Sequence, residues 1–148
     1  MEDHKALKRF GELVGYTEVD LKQFQAGDPR LRQMERLGRA AARYSIQAEV
    51  VKARNCNSGY RVGDKFILDM DGNFIAKFCP PRLCVYAISQ LAVPVALINE
   101  RLSEELDPNQ FHFMHQVRCL DVGVDCAGYG EVRLGVKVVP RVKELKVR

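Results

Sequence analysis

Five cysteines carry the most specific chemistry in this chain: Cys56, Cys79, Cys84, Cys119 and Cys126. An odd number of cysteines argues against a disulfide framework and leaves metal ligands, reactive thiols or small core side chains as their roles. Their spacing, C-x22-C-x4-C-x34-C-x6-C, contains neither the C-x2-C pair of a zinc ribbon nor a ferredoxin run. Any metal site must therefore be assembled by the fold from distant ligands.

Four of these thiols form the candidate metal site: Cys56, Cys79, Cys119 and Cys126. Cys56 and Cys126 lie in polar or glycine-containing stretches, where a cysteine is unusual. Four thiolates suit a zinc ion or an iron–sulfur cluster. Burial in the core is the alternative role for Cys119, and a place in a bulge is the alternative for Cys126.

Cys79 stands directly before Pro80 and Pro81, at the start of an apolar run. Because proline fits the first turn of a helix, the sequence predicts that Cys79 is the N-cap of a helix. Its sulfur would then face unpaired amide protons and the positive end of the helix dipole, which favour the thiolate. Such a thiolate can bind a metal or serve an enzyme as a nucleophile or redox thiol. A capping thiol without a chemical role is the alternative.

Cys84 and His115 are weaker candidates. Cys84 shares a helical stripe with several apolar residues, so packing in the core is its predicted role, although a metal shared with Cys79 stays possible. His115 falls on the same strand face as Cys119 and is the only candidate general base. A buried, hydrogen-bonded histidine is the alternative.

Helices are predicted to fill the chain before residue 45. Apolar spacing predicts the first helix over 6–14, with Gly15 ending it. Thr17 is the expected N-cap of a short helix to about residue 26. Asp28 caps and Pro29 begins a third helix, over 30–44.

Strand patterns follow, at 46–50, 65–70, 73–78, 111–120 and 131–139. Asp71 and Gly72 predict a tight hairpin between the second and third strands. A long apolar helix is predicted over 80–106, with a kink at Pro94. The fold class is α+β: a helical N-terminus and a five-stranded antiparallel or mixed sheet packed on one long, kinked helix. We expect one compact unit, made of a helical segment, 1–44, and a cysteine-containing α+β domain, 45–148.

Composition is that of a globular protein, with 47% apolar and 28% charged residues and a net charge of +4. The N-terminus lacks a signal-peptide pattern, and the apolar run at 83–98 is shorter than the roughly 20 residues that a bilayer requires. We therefore expect a cytoplasmic protein with reduced thiols and no membrane contact. Nucleic acid is not an expected partner, because aromatic and basic residues are not interleaved. A protein partner or a second copy of the chain is expected, because so apolar a helix needs cover on every side.

The stretch CNSGYRVGDKF, followed by Cys79-Pro80, resembles an uncharacterised family of small prokaryotic proteins. Members of that family show a Cys-x-x-Gly-[His/Tyr]-x-x-Gly-Asp-x-Phe motif and then Cys-Pro, and the similarity extends over about residues 50–138. Tyr60 stands where many members have histidine. The resemblance carries no activity, but it implies that Cys56 and Cys79 belong to one recurring constellation.

The sequence predicts a small cytosolic binding or accessory protein whose thiolate site holds a metal ion or cluster. The alternatives are an enzyme that uses Cys79 as its nucleophile or redox thiol, and a metal-free interaction module with structural cysteines.

Overall fold

A computed structural model describes residues 2–143 of the chain. Three helices come first: α1 (Glu2–Val14), α2 (Glu18–Leu21) and α3 (Pro29–Ala41). Thr17 caps α2 in a capping box with Asp20, and the Asp28 side chain caps α3 by accepting a hydrogen bond from the Arg30 amide. The predicted caps Thr17 and Asp28 are confirmed. The helix bounds differ from the prediction: α1 begins at Glu2 instead of residue 6, α2 ends five residues before the predicted residue 26, and α3 ends at Ala41 instead of residue 44.

Within residues 2–143 the sheet has four strands, β1 (Tyr44–Arg54), β2 (Lys65–Leu68), β3 (Gln116–Arg118) and β4 (Glu131–Pro140). Their order is β2-β1-β4-β3, and every neighbouring pair is antiparallel. The α+β class and the antiparallel sheet are therefore confirmed, and the prediction of five strands is wrong.

The missing strand is the one predicted at 73–78. Gly72 turns the chain with a φ of +88°, as the hairpin signal requires, but only Phe74 bridges back to Leu68. The chain then curls into a 3-10 helix, Ala76–Phe78. The two prolines that follow lack amide protons and cannot extend a strand pairing.

The long helix predicted over 80–106 is also wrong. A residue before proline is disfavoured in the helical region, so Pro81 opposes Pro80 as the first helical residue after an N-cap at Cys79. The helical region starts with α4 (Val85–Ile88), passes through a 3-10 turn (Ser89–Leu91) and continues as α5 (Ala92–Ser103). Pro94 falls in the first turn of α5, where a missing amide breaks no intrahelical hydrogen bond.

The strand predicted at 111–120 shrinks to the three residues of β3. Met114 has a positive φ of 67°, which an extended strand does not allow. Val117 and Cys119 are buried as the alternation predicts, but Phe113 and His115 are exposed. The predicted face therefore holds only for the end of this segment.

The core lies between the sheet and the helices α4 and α5. Its largest fully buried side chains come from both layers: Phe66, Ile46, Met70, Leu91, Ile98, Leu134 and Val50. Helix α3 packs beside α5, and charged groups join the two segments. Arg32 pairs with Glu104 at 2.5 Å, and Arg36 donates a hydrogen bond to the carbonyl of Ser103. Among residues 2–143, no helix is long and apolar enough to span a bilayer.

Candidate functional site

Tyr60 ties together the two loops that carry the sequence motif. Its side chain is 5% exposed and packs edge-on against Phe66, with the ring centroids 5.3 Å apart. The hydroxyl donates to the carbonyl of Arg82 at 2.7 Å and accepts from the amide of Cys84 at 2.8 Å. One phenol therefore satisfies two backbone groups of the segment that precedes α4.

The loop that carries Tyr60 returns to β1 by a tight turn. Gly63 has a φ of +97°, and its amide donates to the carbonyl of Val50 at 2.9 Å. The Asp64 carboxylate accepts from the amide of Arg61 at 2.9 Å. Gly63 and Asp64 of the sequence motif therefore shape this turn.

A pocket of about 650 Å³ lies between these two loops, lined by residues of the segments 58–65 and 77–82. We call it the Tyr60 pocket. Its lining contains three cationic side chains, Lys65, Lys77 and Arg82, and one carboxylate, Asp64. Sequence reasoning missed this pocket, because the loops that enclose it are separated along the chain by β2.

Cys79 lines the Tyr60 pocket but is not a helix cap. It follows the 3-10 helix with an extended backbone, and its thiol donates to the carbonyl of Ile67 at 3.5 Å. Burial raises the pKa of the Cys79 thiol above its ordinary value. The predicted N-cap is therefore wrong, and the environment favours the thiol over the thiolate that a nucleophile requires.

Cys56 and Cys84 lie near the Tyr60 hydroxyl. Burial raises the pKa of the Tyr60 hydroxyl, and nearby Cys84 and Cys56 add to the rise, although the hydrogen bond from the Cys84 amide opposes it. Cys84 occupies the N-cap position of α4, and its thiol makes no capping hydrogen bond. Both thiols are half-buried and pack against the hydrophobic core, as predicted for Cys84.

The remaining cysteines differ sharply in burial. Cys119 is 8% exposed, and its thiol points to the carbonyl of Asp121 at 3.8 Å. Cys126 is exposed at the end of a 3-10 helix. His115 is exposed, stacks on Phe111 and makes a hydrogen bond to the Phe111 carbonyl, so the alternative of a buried histidine is wrong although its side chain is hydrogen-bonded.

Asp121 organises the loop between β3 and β4, a role that sequence reasoning missed. Its carboxylate accepts from the amides of Gly123 at 3.1 Å, Tyr129 at 2.9 Å and Gly130 at 2.8 Å. These hydrogen bonds hold the pKa of Asp121 below its usual value. In the sequence, only the nearby glycines indicate a loop whose backbone amides can turn toward one carboxylate.

All five cysteines are free thiols. Within the described part of the chain, no three or more His, Cys, Asp or Glu side chains are grouped so that they could hold a metal ion. The structure therefore does not bring Cys56, Cys79, Cys119 and Cys126 together as one ligand group. A zinc or iron–sulfur site stays a prediction.

No protein-family model, curated protein or solved structure matches the chain significantly. The resemblance of residues 50–138 to an uncharacterised prokaryotic family therefore stays a prediction. Function has to be inferred from the geometry of the loops around Tyr60.

Proposed function

We propose that the protein is a small binding protein whose ligand occupies the Tyr60 pocket. The observation that carries this proposal is the hydroxyl of Tyr60, which joins the two loops and holds the pocket between them. A cleft preformed by hydrogen bonds costs little ordering when a ligand enters, which is how binding sites gain affinity.

The groups in the pocket suit binding better than catalysis. Cys79 is kept protonated by burial, and the carboxylate of Asp64 is engaged with the amide of Arg61. Among the described residues that line the pocket there is no histidine. A nucleophilic Cys79 would need a base beside it, and His115 contacts Phe111 instead.

Nuclear magnetic resonance tests the proposal directly. Amide shifts of the 15N-labelled protein would be followed while neutral, anionic and cationic small fragments are added. We expect shifts that cluster in the segments 58–65 and 77–82. Ser58→Trp places a large ring in the lining and should abolish them, whereas Asn57→Trp alters a neighbouring exposed side chain and should not. If no fragment of any charge class moves these amides, the proposal is wrong.

A second candidate function is the binding of zinc or an iron–sulfur cluster by cysteines. The observation in its favour is that four thiols, those of Cys56, Cys79, Cys84 and Cys119, pack against one hydrophobic core. Soft metals prefer such thiol-rich surroundings. Elemental analysis of protein purified without oxygen tests it. Near-stoichiometric metal that is lost in Cys56→Ala and Cys79→Ala would support this candidate, and metal-free folded protein would remove it.

The tyrosine at position 60 offers a sharper form of the metal test. A histidine there would place an imidazole beside Cys56 and Cys84, which lie near the present hydroxyl. If these thiols are ligands, Tyr60→His should bind zinc more tightly than the unchanged protein in a competition with a chelating dye. Equal affinity in both proteins would exclude Cys56 and Cys84 as a shared site.

We also propose a cytoplasmic location, where five free thiols remain reduced, and an accessory role with a protein partner or a second copy of the chain. The exposed apolar side chains of Tyr86 and Leu120 support this, and they are neighbours because the Leu120 amide donates to the Tyr86 carbonyl at 3.1 Å. Light scattering of the purified protein measures whether a second copy binds. A monomer at all concentrations would leave a different protein as the proposed partner.

A further inference from the structure

Cationic side chains surround the Tyr60 pocket on both of its loops. Lys65 follows the turn at Gly63 and Asp64, while Lys77 and Arg82 flank Cys79 on the opposite loop. Lys65 and Arg82 are both exposed, so their charged ends can reach a ligand in the pocket. The pocket is therefore bordered by positive charge from two directions.

Two of these cations lack the ion pairs that similar residues make elsewhere. Arg32 pairs with Glu104 at 2.5 Å, and Arg54 pairs with Asp125 at 3.3 Å. Neither Lys65 nor Arg82 makes an ion pair with any residue in the range 2–143. Their positive charge is thus available to a ligand.

The pocket lining carries more positive than negative charge, because three cationic side chains stand against the single carboxylate of Asp64. The Cys79 thiol is held in its neutral form by burial, so no thiolate stands against the cations at neutral pH. The hydroxyl of Tyr60 is neutral too, because burial raises its pKa further above 10. Asp64 is the one carboxylate of the described lining, and it accepts from the Arg61 amide.

We propose that the Tyr60 pocket binds a small molecule with a phosphate or carboxylate group, through the side chains of Lys65 and Arg82. The planar guanidinium of Arg82 suits the paired oxygens of either group, and the ammonium of Lys65 supplies a second charge. This inference depends on the proposed function, since it names the chemical class of the ligand in the same pocket.

Matched pairs of charged and neutral probes test it. Glycerol 3-phosphate would be compared with glycerol, and succinate with succinamide, by the amide shifts of the segments 58–65 and 77–82. We expect at least one anion to bind and its neutral counterpart not to bind. The phosphate and carboxylate arms show which group the pocket accepts. Affinity should fall as salt is added, because the contacting cations are exposed.

Substitutions distinguish the effect of the pocket cations on anion binding from that of other surface charges. Arg82→Gln and Lys65→Gln should each weaken anion binding, by about tenfold for a lost charge-assisted hydrogen bond. Arg61→Gln is the matched control, because Arg61 is an exposed cation of the same loop that does not line the pocket. An equal loss in Arg61→Gln would overturn the proposal. Circular dichroism confirms that each variant is folded.

Alkylation of Cys79 gives an independent measurement. A bound anion should slow the reaction of Cys79 with iodoacetamide, while exposed Cys126 reacts at an unchanged rate. If neutral fragments bind in the pocket and neither anion does, the anion inference is wrong and the proposed function stands. If no fragment binds at all, both are wrong.

Discussion

Two loops of this protein look alike in sequence and differ in what their polar groups do. The loop at 56–65 combines one cysteine with two glycines, and the loop at 119–130 combines two cysteines with three glycines. In the first, the hydroxyl of Tyr60 reaches across to a second loop, and a pocket lies between them. In the second, the carboxylate of Asp121 is occupied by the amides of its own loop. The Tyr60 hydroxyl joins the first loop to another segment of the chain, whereas the Asp121 carboxylate joins parts of the second loop to each other.

A loop that is rich in glycine and contains a cysteine is therefore not in itself a sign of a binding site. What matters is whether its polar side chains satisfy local amides or bridge to distant backbone. Asp121 bonds amides up to nine positions away, whereas Tyr60 bonds groups 22 and 24 positions away. Hydrogen bonds between distant segments, such as those of Tyr60, enclose space between the segments, and a ligand can bind in such a space.

Removal of the Tyr60 side chain should have the largest effect. Tyr60→Ala deletes a buried aromatic ring and both of its hydrogen bonds, so we expect the free energy of unfolding to fall by about 3–5 kcal/mol. Tyr60→Phe keeps the ring but leaves the Arg82 carbonyl and the Cys84 amide without this partner, at a cost of about 1–3 kcal/mol. Urea denaturation measures both values.

The comparison with Tyr60→Phe decides how the hydroxyl acts. If it fastens the two loops, Tyr60→Phe should also speed hydrogen exchange at the Cys84 amide, which donates to it at 2.8 Å. Unchanged exchange at Cys84 would show that the bridge is not formed in solution. The loop at 119–130 serves as the control, and its exchange should not change.

The sequence contained enough information for the helix caps and for strand β4, and too little for the pocket. Caps such as Thr17 and Asp28 act on neighbouring amides, so their positions followed from local chemistry. Strand β4 followed from its strict alternation of buried and exposed residues. The partner of the Tyr60 hydroxyl depends on how β2 places two loops side by side, and no local pattern records that.

The errors around Cys79 came from a rule applied to one proline where two were present. A single proline after Cys79 would have been compatible with a helix start, but Pro81 constrains Pro80 as Pro80 constrains Cys79. The N-cap of the apolar helix moved to Cys84 as a result. The metal ligands of a scattered site could not be predicted at all, since only the fold can bring them together.

Glycine substitutions should have different effects in the loop at 119–130 and in the loop at 56–65. A Cβ atom at Gly128 would lie 2.1 Å from a carboxylate oxygen of Asp121 and 2.9 Å from the Gly123 amide. Gly128→Ala should therefore displace the carboxylate that organises the loop and cost about 1–3 kcal/mol. Gly59 has a φ of +77° and open space around it, so Gly59→Ala should cost only the backbone strain of about 1–2 kcal/mol.

Thermal unfolding of the two variants measures this difference in stability. Amide shifts of the loop at 119–130 then show whether Asp121 is displaced. Gly128→Ala should alter the amide shifts of Tyr129 and Gly130, because both donate to Asp121. Gly59→Ala should leave those two shifts unchanged. If both variants perturb Tyr129 equally, the two loops are coupled and the comparison fails.

The pH dependence of stability should identify Asp121 as the organiser of its loop. Hydrogen bonds from the loop amides lower its pKa in the folded state below the ordinary 3.8. The stability that this carboxylate confers is therefore present above pH 3.8 and lost as the pH falls through the lower, folded value. Asp121→Asn would place the N–H protons of a side-chain amide opposite the backbone N–H donors of the loop. It should therefore lower the midpoint of urea denaturation at pH 7. The gap between the two proteins should close in acid, and a gap independent of pH would contradict this role.

The smallest effect is expected at Cys126, and it separates the structural from the chemical role of the cysteines. Cys126 is exposed, so Cys126→Ala should change the free energy of unfolding by no more than about 0.5 kcal/mol. Cys119 is 8% exposed, and removal of its sulfur should cost about 1 kcal/mol. A large loss of stability in Cys126→Ala would mean that its thiol has a partner such as a metal ion, because an exposed side chain contributes little to packing. Denaturation of both variants with and without a chelator decides between these roles. If a chelator destabilises the unchanged protein and has no effect on Cys126→Ala, Cys126 is a metal ligand.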